Sequence, residues 1–105
     1  DHSALAAVRS KLQDIDAEVR SEALTCLATL AGDSEDSTIK TTCACLTDVN
    51  LSVRLTALQV LSCAIEKSNE IAITAVSSRL DDEGEDICLR RASVVALTKA
   101  AKDFD

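Results

Sequence analysis

The side chains that could carry acid–base or nucleophilic chemistry are few in this chain. His2 is the only histidine, and it stands at the second position of the sequence. Acid–base catalysis, or a serine or cysteine activated by histidine, requires groups held close together where water is excluded. A histidine near a fraying chain end is poorly placed for this role. We therefore predict that the protein is not an enzyme.

Two further clusters could bind a metal ion. Cys43 and Cys45 are separated by one residue, but residues two apart on a helix project about 200° from each other. A zinc site would therefore need further ligands from elsewhere. Residues 81–86 contain five carboxylates, yet they lack the ligand spacing and closing glutamate of an EF-hand. We predict no metal or cofactor and interpret this run as a solvated turn, with weak attraction of a cation or basic peptide as the alternative.

The cysteine count and the charge limit the setting of the protein. Five cysteines are an odd number and lie along predicted helices, which favours reduced thiols at helix interfaces over disulfides. The net charge of -7 opposes nucleic-acid backbones and anionic membrane surfaces. No apolar run is long enough to span a bilayer. We expect a cytoplasmic protein in a reducing compartment, with no nucleic-acid or membrane partner.

One sequence pattern occurs three times along the chain. Leu12, Leu46 and Leu80 stand 34 residues apart, and each precedes an acidic turn, an apolar residue followed by arginine, and a run rich in Ala and Leu. A fixed period of this length indicates stacked helical units. With no proline and only two glycines in 105 residues, the composition favours an all-α fold.

The repeat divides the chain into three units within one domain. The units cover about residues 1–33, 34–67 and 68–105, and each is predicted to form a first helix A, a short turn and a second helix B. The arginines Arg20, Arg54 and Arg90 begin the B helices at spacings of 34 and 36 residues. The third turn is therefore two residues longer. Ser93 falls at an inward position of its B helix, so the basic kinase-like motif around it is interpreted as accidental.

The pattern Leu-x-Asp-x-Asp-x-x-Val-Arg-x-x-Ala-x-x-x-Leu occurs at residues 12–27. It occurs again at 46–61, with Asn50 in place of the second Asp. It resembles HEAT repeats, and the short period is most similar to the HEAT-like units of phycobilisome lyase-type proteins. The resemblance covers the whole chain, although the third unit is degenerate and the family's common proline is missing. It implies three stacked antiparallel helix pairs in a right-handed α-solenoid, with the B helices lining the concave face.

The resemblance also implies bonds between an aspartate and an arginine of neighbouring units. The implied pairs are Asp14 or Asp16 with Arg54, and Asp48 with Arg20 or Arg90. An arginine just beyond an acidic turn can bind the carboxylates and backbone of that turn with its planar fork of donors. The alternative is that these arginines are solvated on the surface.

The exposed side of the B helices is the candidate binding surface. Nine residues follow the three arginines by two, five or nine positions. We leave out Ala92 and call the other eight the B-helix stripe: Glu22, Thr25, Thr29, Thr56, Gln59, Cys63, Val95 and Lys99. The stripe is small and weakly polar. It lacks the large aromatic and arginine side chains that usually dominate binding energy.

We expect the chain to be a scaffold that binds another protein or peptide through this stripe or through the acidic loop edge. A structural spacer with no ligand is one alternative. A lyase or chromophore-handling subunit is another, by family analogy alone. The first and last helices retain apolar residues such as Val8 and Val94 on faces without a neighbour. We therefore expect further units of a longer array, or self-association, to cover them.

Overall fold

Six α-helices form the regular structure of residues 2–31 and 36–102, the part of the chain that the computed structural model describes. Their bounds are α1 His2–Ser10, α2 Ala17–Ala31, α3 Asp36–Ala44, α4 Leu51–Glu66, α5 Glu70–Leu80 and α6 Ile87–Lys102. Short 3₁₀ helices, Lys11–Gln13 and Cys45–Thr47, extend α1 and α3. Within these residues there is no strand, which confirms the all-α prediction. The predicted helix stop at Gly32 lies outside the described residues.

Each B helix begins with a side-chain cap four residues before its arginine. Asp16 Oδ1 accepts a hydrogen bond from the Glu18 N–H at 2.8 Å, and Asn50 Oδ1 accepts one from Val53 at 3.2 Å. Asp86 takes the same role in the third unit, at 2.7 Å from the Cys88 nitrogen. Such caps satisfy amide groups that have no partner inside the helix. The shared cap position gives every B helix the same start relative to its arginine.

The turns of the first two units also have the same backbone. Asp14 follows the first 3₁₀ helix with φ −58° and ψ 147°, and Asp48 follows the second with φ −57° and ψ 147°. The N–H of each aspartate donates to the first carbonyl of its 3₁₀ helix at 3.1 Å. The sequence repeat is therefore a repeat of local structure. The third turn, with its two extra residues, starts directly after α5.

The B helices lie in chain order. α4 packs against both α2 and α6, whereas α2 and α6 do not pack against each other within the described residues. Each B helix also packs against the A helix of its own unit, and α3 packs against α5. The core between the A helices and the B helices consists of aliphatic side chains with almost no exposure: Leu24, Leu27, Val53, Leu61, Ile65, Val76 and Leu89.

Candidate functional site

Arginine side chains link the turns of neighbouring units. The Arg20 Nε and Nη2 atoms lie 2.9 Å from Asp48 Oδ2 and Oδ1, a two-bond contact between planar groups. Arg20 Nη1 also donates to the Asp14 carbonyl of its own turn at 2.9 Å. Of the two pairings expected for Asp48, the one with Arg20 therefore forms. Arg90 does not bind Asp48, since its Nε donates to the Glu85 carbonyl at 3.1 Å.

Arg54 makes the next link in the same direction. Its Nη1 donates to the Asp48 carbonyl of its own turn at 2.8 Å, and its Nη2 lies 3.0 Å from Glu85 Oε2 in the third unit. The expected pairing of Arg54 with Asp14 or Asp16 is wrong, because each arginine reaches the turn of the following unit rather than the preceding one. We call Arg20–Asp48 and Arg54–Glu85 the arginine ladder.

Glu85 is the residue that the sequence analysis missed, because it lies inside the run interpreted as a solvated turn. Its side chain is buried and binds Arg79 as well as Arg54, with Arg79 Nη2 3.0 Å from Glu85 Oε1. Arg79 also binds Asp82 at 2.9 Å. Glu85 stands five residues before Arg90, whereas Asp48 stands six before Arg54, and its longer side chain bridges the difference. An acidic residue close to that spacing was the available signal.

Burial and hydrogen bonding set the charge state of the ladder. Burial alone would raise the pKa of Asp48, but hydrogen bonds from Arg20 and the Asn50 N–H hold that pKa below its usual value. Burial would likewise raise the pKa of Glu85, but hydrogen bonds from the Asp86 N–H, Arg79 and Arg54 lower that pKa. The hydrogen bonds to Asp48 raise the pKa of Arg20. The arginines and carboxylates of the ladder are therefore charged and paired with each other, which suits a structural role.

The thiols do not form a reactive cluster. Within residues 2–31 and 36–102, no group of three or more His, Cys, Asp or Glu side chains is arranged to hold a metal ion. Cys43 and Cys45 are half-buried against the core, and burial raises the pKa of both thiols. Cys63 and Cys88 are exposed, so the expectation that the cysteines fill helix interfaces is wrong for these two.

The B-helix stripe lies at the surface. Seven of its eight residues are exposed, and Thr56 is half-buried. Glu22, Thr25 and Thr56 line one groove of about 440 Å³ between α2 and α4. Thr56 and Gln59 line a second groove of about 260 Å³ between α4 and α6. The structure therefore brings half of the stripe into two adjacent grooves, while Thr29, Cys63, Val95 and Lys99 lie outside them.

The groove between α2 and α4 offers mainly hydrogen-bond acceptors. The Thr25 hydroxyl donates to the Ser21 carbonyl at 3.2 Å, and the Thr56 hydroxyl donates to Ser52 at 2.9 Å. Because these two donors are used within the helices, the Thr25 and Thr56 oxygens face a ligand chiefly as acceptors, while the Asn50 amide of the same groove adds a donor. Glu18 and Glu22 add carboxylates to the same groove. Its chemistry suits a ligand rich in donors or positive charge.

No protein-family model, curated protein or solved structure matches this chain. No helix in the described ranges is long and apolar enough to cross a membrane. Ser93 is fully buried and donates to the Leu89 carbonyl at 2.8 Å, so a kinase could not reach it in the folded protein.

Proposed function

We propose that this chain is a HEAT-like α-solenoid that serves as a scaffold for binding an extended segment of another protein. The order of α2, α4 and α6, their equivalent caps and the one-directional arginine ladder support a stack of helix pairs. The Cα atoms extend over 41 × 28 × 14 Å, as a stack two helices thick requires. A right-handed superhelix is part of the same proposal.

The groove between α2 and α4 carries the binding proposal. It is open, lies across two units and combines the Glu18 and Glu22 carboxylates with the Thr25 and Thr56 hydroxyl oxygens. An extended peptide with Lys or Arg side chains matches these acceptors, and the chain's net charge of -7 favours its approach. The second groove beside Gln59 continues the surface toward α6. Affinity from such shallow grooves is expected to be modest.

A capture experiment from an extract of the source cells tests this proposal. The native chain is compared with a Thr25→Arg, Gln59→Arg double variant, which puts positive charge and bulk into both grooves. A matched control, Thr74→Arg with Ser78→Arg, adds the same charge at exposed positions of α5. Circular dichroism verifies that all three chains are helical.

We expect the native chain and the control to retain the same partner and the groove variant to lose it. Equal retention by all three chains would contradict binding through the grooves. Retention by none would support the spacer alternative, and a co-purifying pigment would support the chromophore-handling alternative. The pigment is detected by its visible absorption, because amino-acid side chains do not absorb in that range.

A further inference from the structure

The three helix pairs form a row in chain order. Residues at equivalent positions of the three units differ in exposure according to the place of their unit in this row. The residue before each arginine is 38% exposed at Val19 but 0% at Val53 and Leu89. The residue four positions after each arginine shows the reverse order, 0% at Leu24, 3% at Leu58 and 51% at Val94. A preceding unit therefore covers the first position, and a following unit covers the second. Within residues 2–31 and 36–102, each end of the row therefore leaves an apolar position exposed that is covered in the other units.

The N-terminal end presents a groove and, in the adjoining turn, the carboxylate of Asp14. The groove measures about 380 Å³ and lies between α1 and α2, with Val8, Val19, Ala23 and Cys26 among its lining residues. The Asp14 carboxylate accepts the Asp16 N–H at 2.8 Å, just as Asp48 accepts the Asn50 N–H at 2.9 Å.

Asp14 is thus held as Asp48 is, but no arginine side chain in the described residues binds its carboxylate. Its carboxylate lies 4.0 Å from the exposed Lys11, and Arg20 donates only to its backbone carbonyl. The acceptor end of the arginine ladder is therefore open at the N-terminal end of the row.

The C-terminal end carries the complementary groups. Arg90 donates to a carbonyl of its own turn, as Arg20 and Arg54 do, but within the described ranges it binds no carboxylate. Val94 stands exposed four residues later. Arg91 adds positive charge to α6, whereas three acidic side chains and one lysine, Lys11, line the groove at the other end. Those acidic residues are Asp16, Glu18 and Glu22.

We propose that copies of this chain associate head to tail, with α6 of one copy seated in the groove between α1 and α2 of the next. Arg90 binds Asp14 of the next copy, and Val94 covers its Val19. This contact repeats the Arg20–Asp48 link inside the chain, with Val94 and Val19 at the positions of the buried Leu24 and Val53. Because the two surfaces differ, every assembly retains one free head and one free tail, and growth does not stop at a dimer.

Sedimentation velocity from micromolar to millimolar concentration tests this inference with two end variants. Val19→Glu blocks the head and Val94→Glu blocks the tail, both at exposed positions where the fold tolerates a charge. Val49→Glu is the matched control, since Val49 is 93% exposed in the middle unit's turn. Circular dichroism establishes that the variants keep the native helix content.

The native chain and the control should sediment faster as concentration rises, with no limiting species. Each end variant alone should remain monomeric. An equimolar mixture of the two should stop at a dimer of twice the monomer mass, because one native tail meets one native head.

A native chain that stays monomeric throughout would overturn the proposal and leave the end faces to other units of a longer chain. Association of either end variant by itself would also overturn it, since that requires a head-to-head or tail-to-tail contact. A mixture that remains monomeric would do the same.

The charge part of the contact has its own test. Asp14→Asn keeps an oxygen for the Asp16 N–H but removes the charge that meets Arg90. It should weaken self-association about tenfold at low salt, and much less at high salt because added ions screen the pair. Equal association of Asp14→Asn and the native chain at low salt would exclude the Arg90–Asp14 pair.

Discussion

At the scale of single residues, the buried carboxylate of Glu85 joins two units. It receives Arg54 from the second unit and Arg79 from its own, and the side chain is only 2% exposed. Removal of one partner from a buried ion pair leaves the others desolvated and unpaired. Glu85 should therefore contribute more to stability than the exposed acids of the same turn.

We predict that Glu85→Gln lowers the free energy of unfolding by about 3 kcal/mol, the usual cost of breaking a buried pair from one side. Urea denaturation followed by circular dichroism measures the change. The control is Glu83→Gln two residues earlier, which is exposed and should change stability by less than about 0.5 kcal/mol. Equal free energies of unfolding for the two variants would show that Glu85 contributes no more to stability than Glu83.

The lowered pKa values of Asp48 and Glu85 predict sensitivity to acid. In unfolded chains, Asp and Glu have pKa values of about 3.9 and 4.3. Asp48 and Glu85 have lower pKa values in the folded protein. The folded state therefore binds fewer protons in this range. The stability from these groups is complete above the unfolded pKa values and is lost as pH falls through the folded ones.

Urea denaturation at a series of pH values measures that loss. The free energy of unfolding should fall steadily below about pH 5 in the native chain and less steeply in Glu85→Gln. Parallel curves for the two proteins would contradict the role assigned to Glu85.

At the scale of elements, the link between α4 and α5 contains a strained residue. Ser68 has φ 64°, the left-handed region that favours glycine. Its N–H donates to the Ile65 carbonyl at 2.9 Å, closing the end of α4. A side chain here costs energy that glycine would not.

We predict that Ser68→Gly raises the free energy of unfolding by about 1 kcal/mol, because glycine relieves that cost. Thermal unfolding followed by circular dichroism measures the shift. Ser78→Gly is the matched control on α5, where the residue is helical and glycine should lower stability by up to about 1 kcal/mol. Destabilisation by Ser68→Gly would mean that the serine side chain itself closes the helix.

Sequence periodicity predicted the helices and the equivalence of positions better than it predicted contacts. The spacing placed Arg20, Arg54 and Arg90 at matching points, but it could not show which neighbouring turn a long side chain reaches. The two-residue insertion shifted the acidic position from six to five residues before the arginine and concealed Glu85. The exposure of Thr25 and Gln59 agrees with the expected stripe, while their role in binding stays a prediction.

At the scale of the whole molecule, exposure depends on the number of neighbours as well as on the apolar pattern. Val19 and Val53 have the same residue type and the same place in their units, yet only Val53 is covered. An amphipathic pattern marks a face that can be buried, and the row of units decides whether it is. The end faces and the grooves along the B helices adjoin each other, since Glu18 and Glu22 line both the N-terminal groove and the groove between α2 and α4.

Substitutions outside the shared residues let the two proposals fail independently. Thr25→Arg with Gln59→Arg alters the grooves and should leave self-association unchanged. Val94→Glu alters the tail and should leave partner capture unchanged. Loss of both properties in either variant would show that the two surfaces depend on each other.

Site-specific photo-crosslinking in extract tests the central claim, that the B-helix grooves bind another protein, most directly. A photoreactive side chain at Gln59 reports on the grooves, and the same group at Thr74 of α5 or at Glu83 of the acidic turn reports on other exposed surfaces. We predict a crosslinked partner from Gln59 and none from Thr74 or Glu83. Crosslinks from Thr74 or Glu83 without one from Gln59, or none from any position, would contradict the claim.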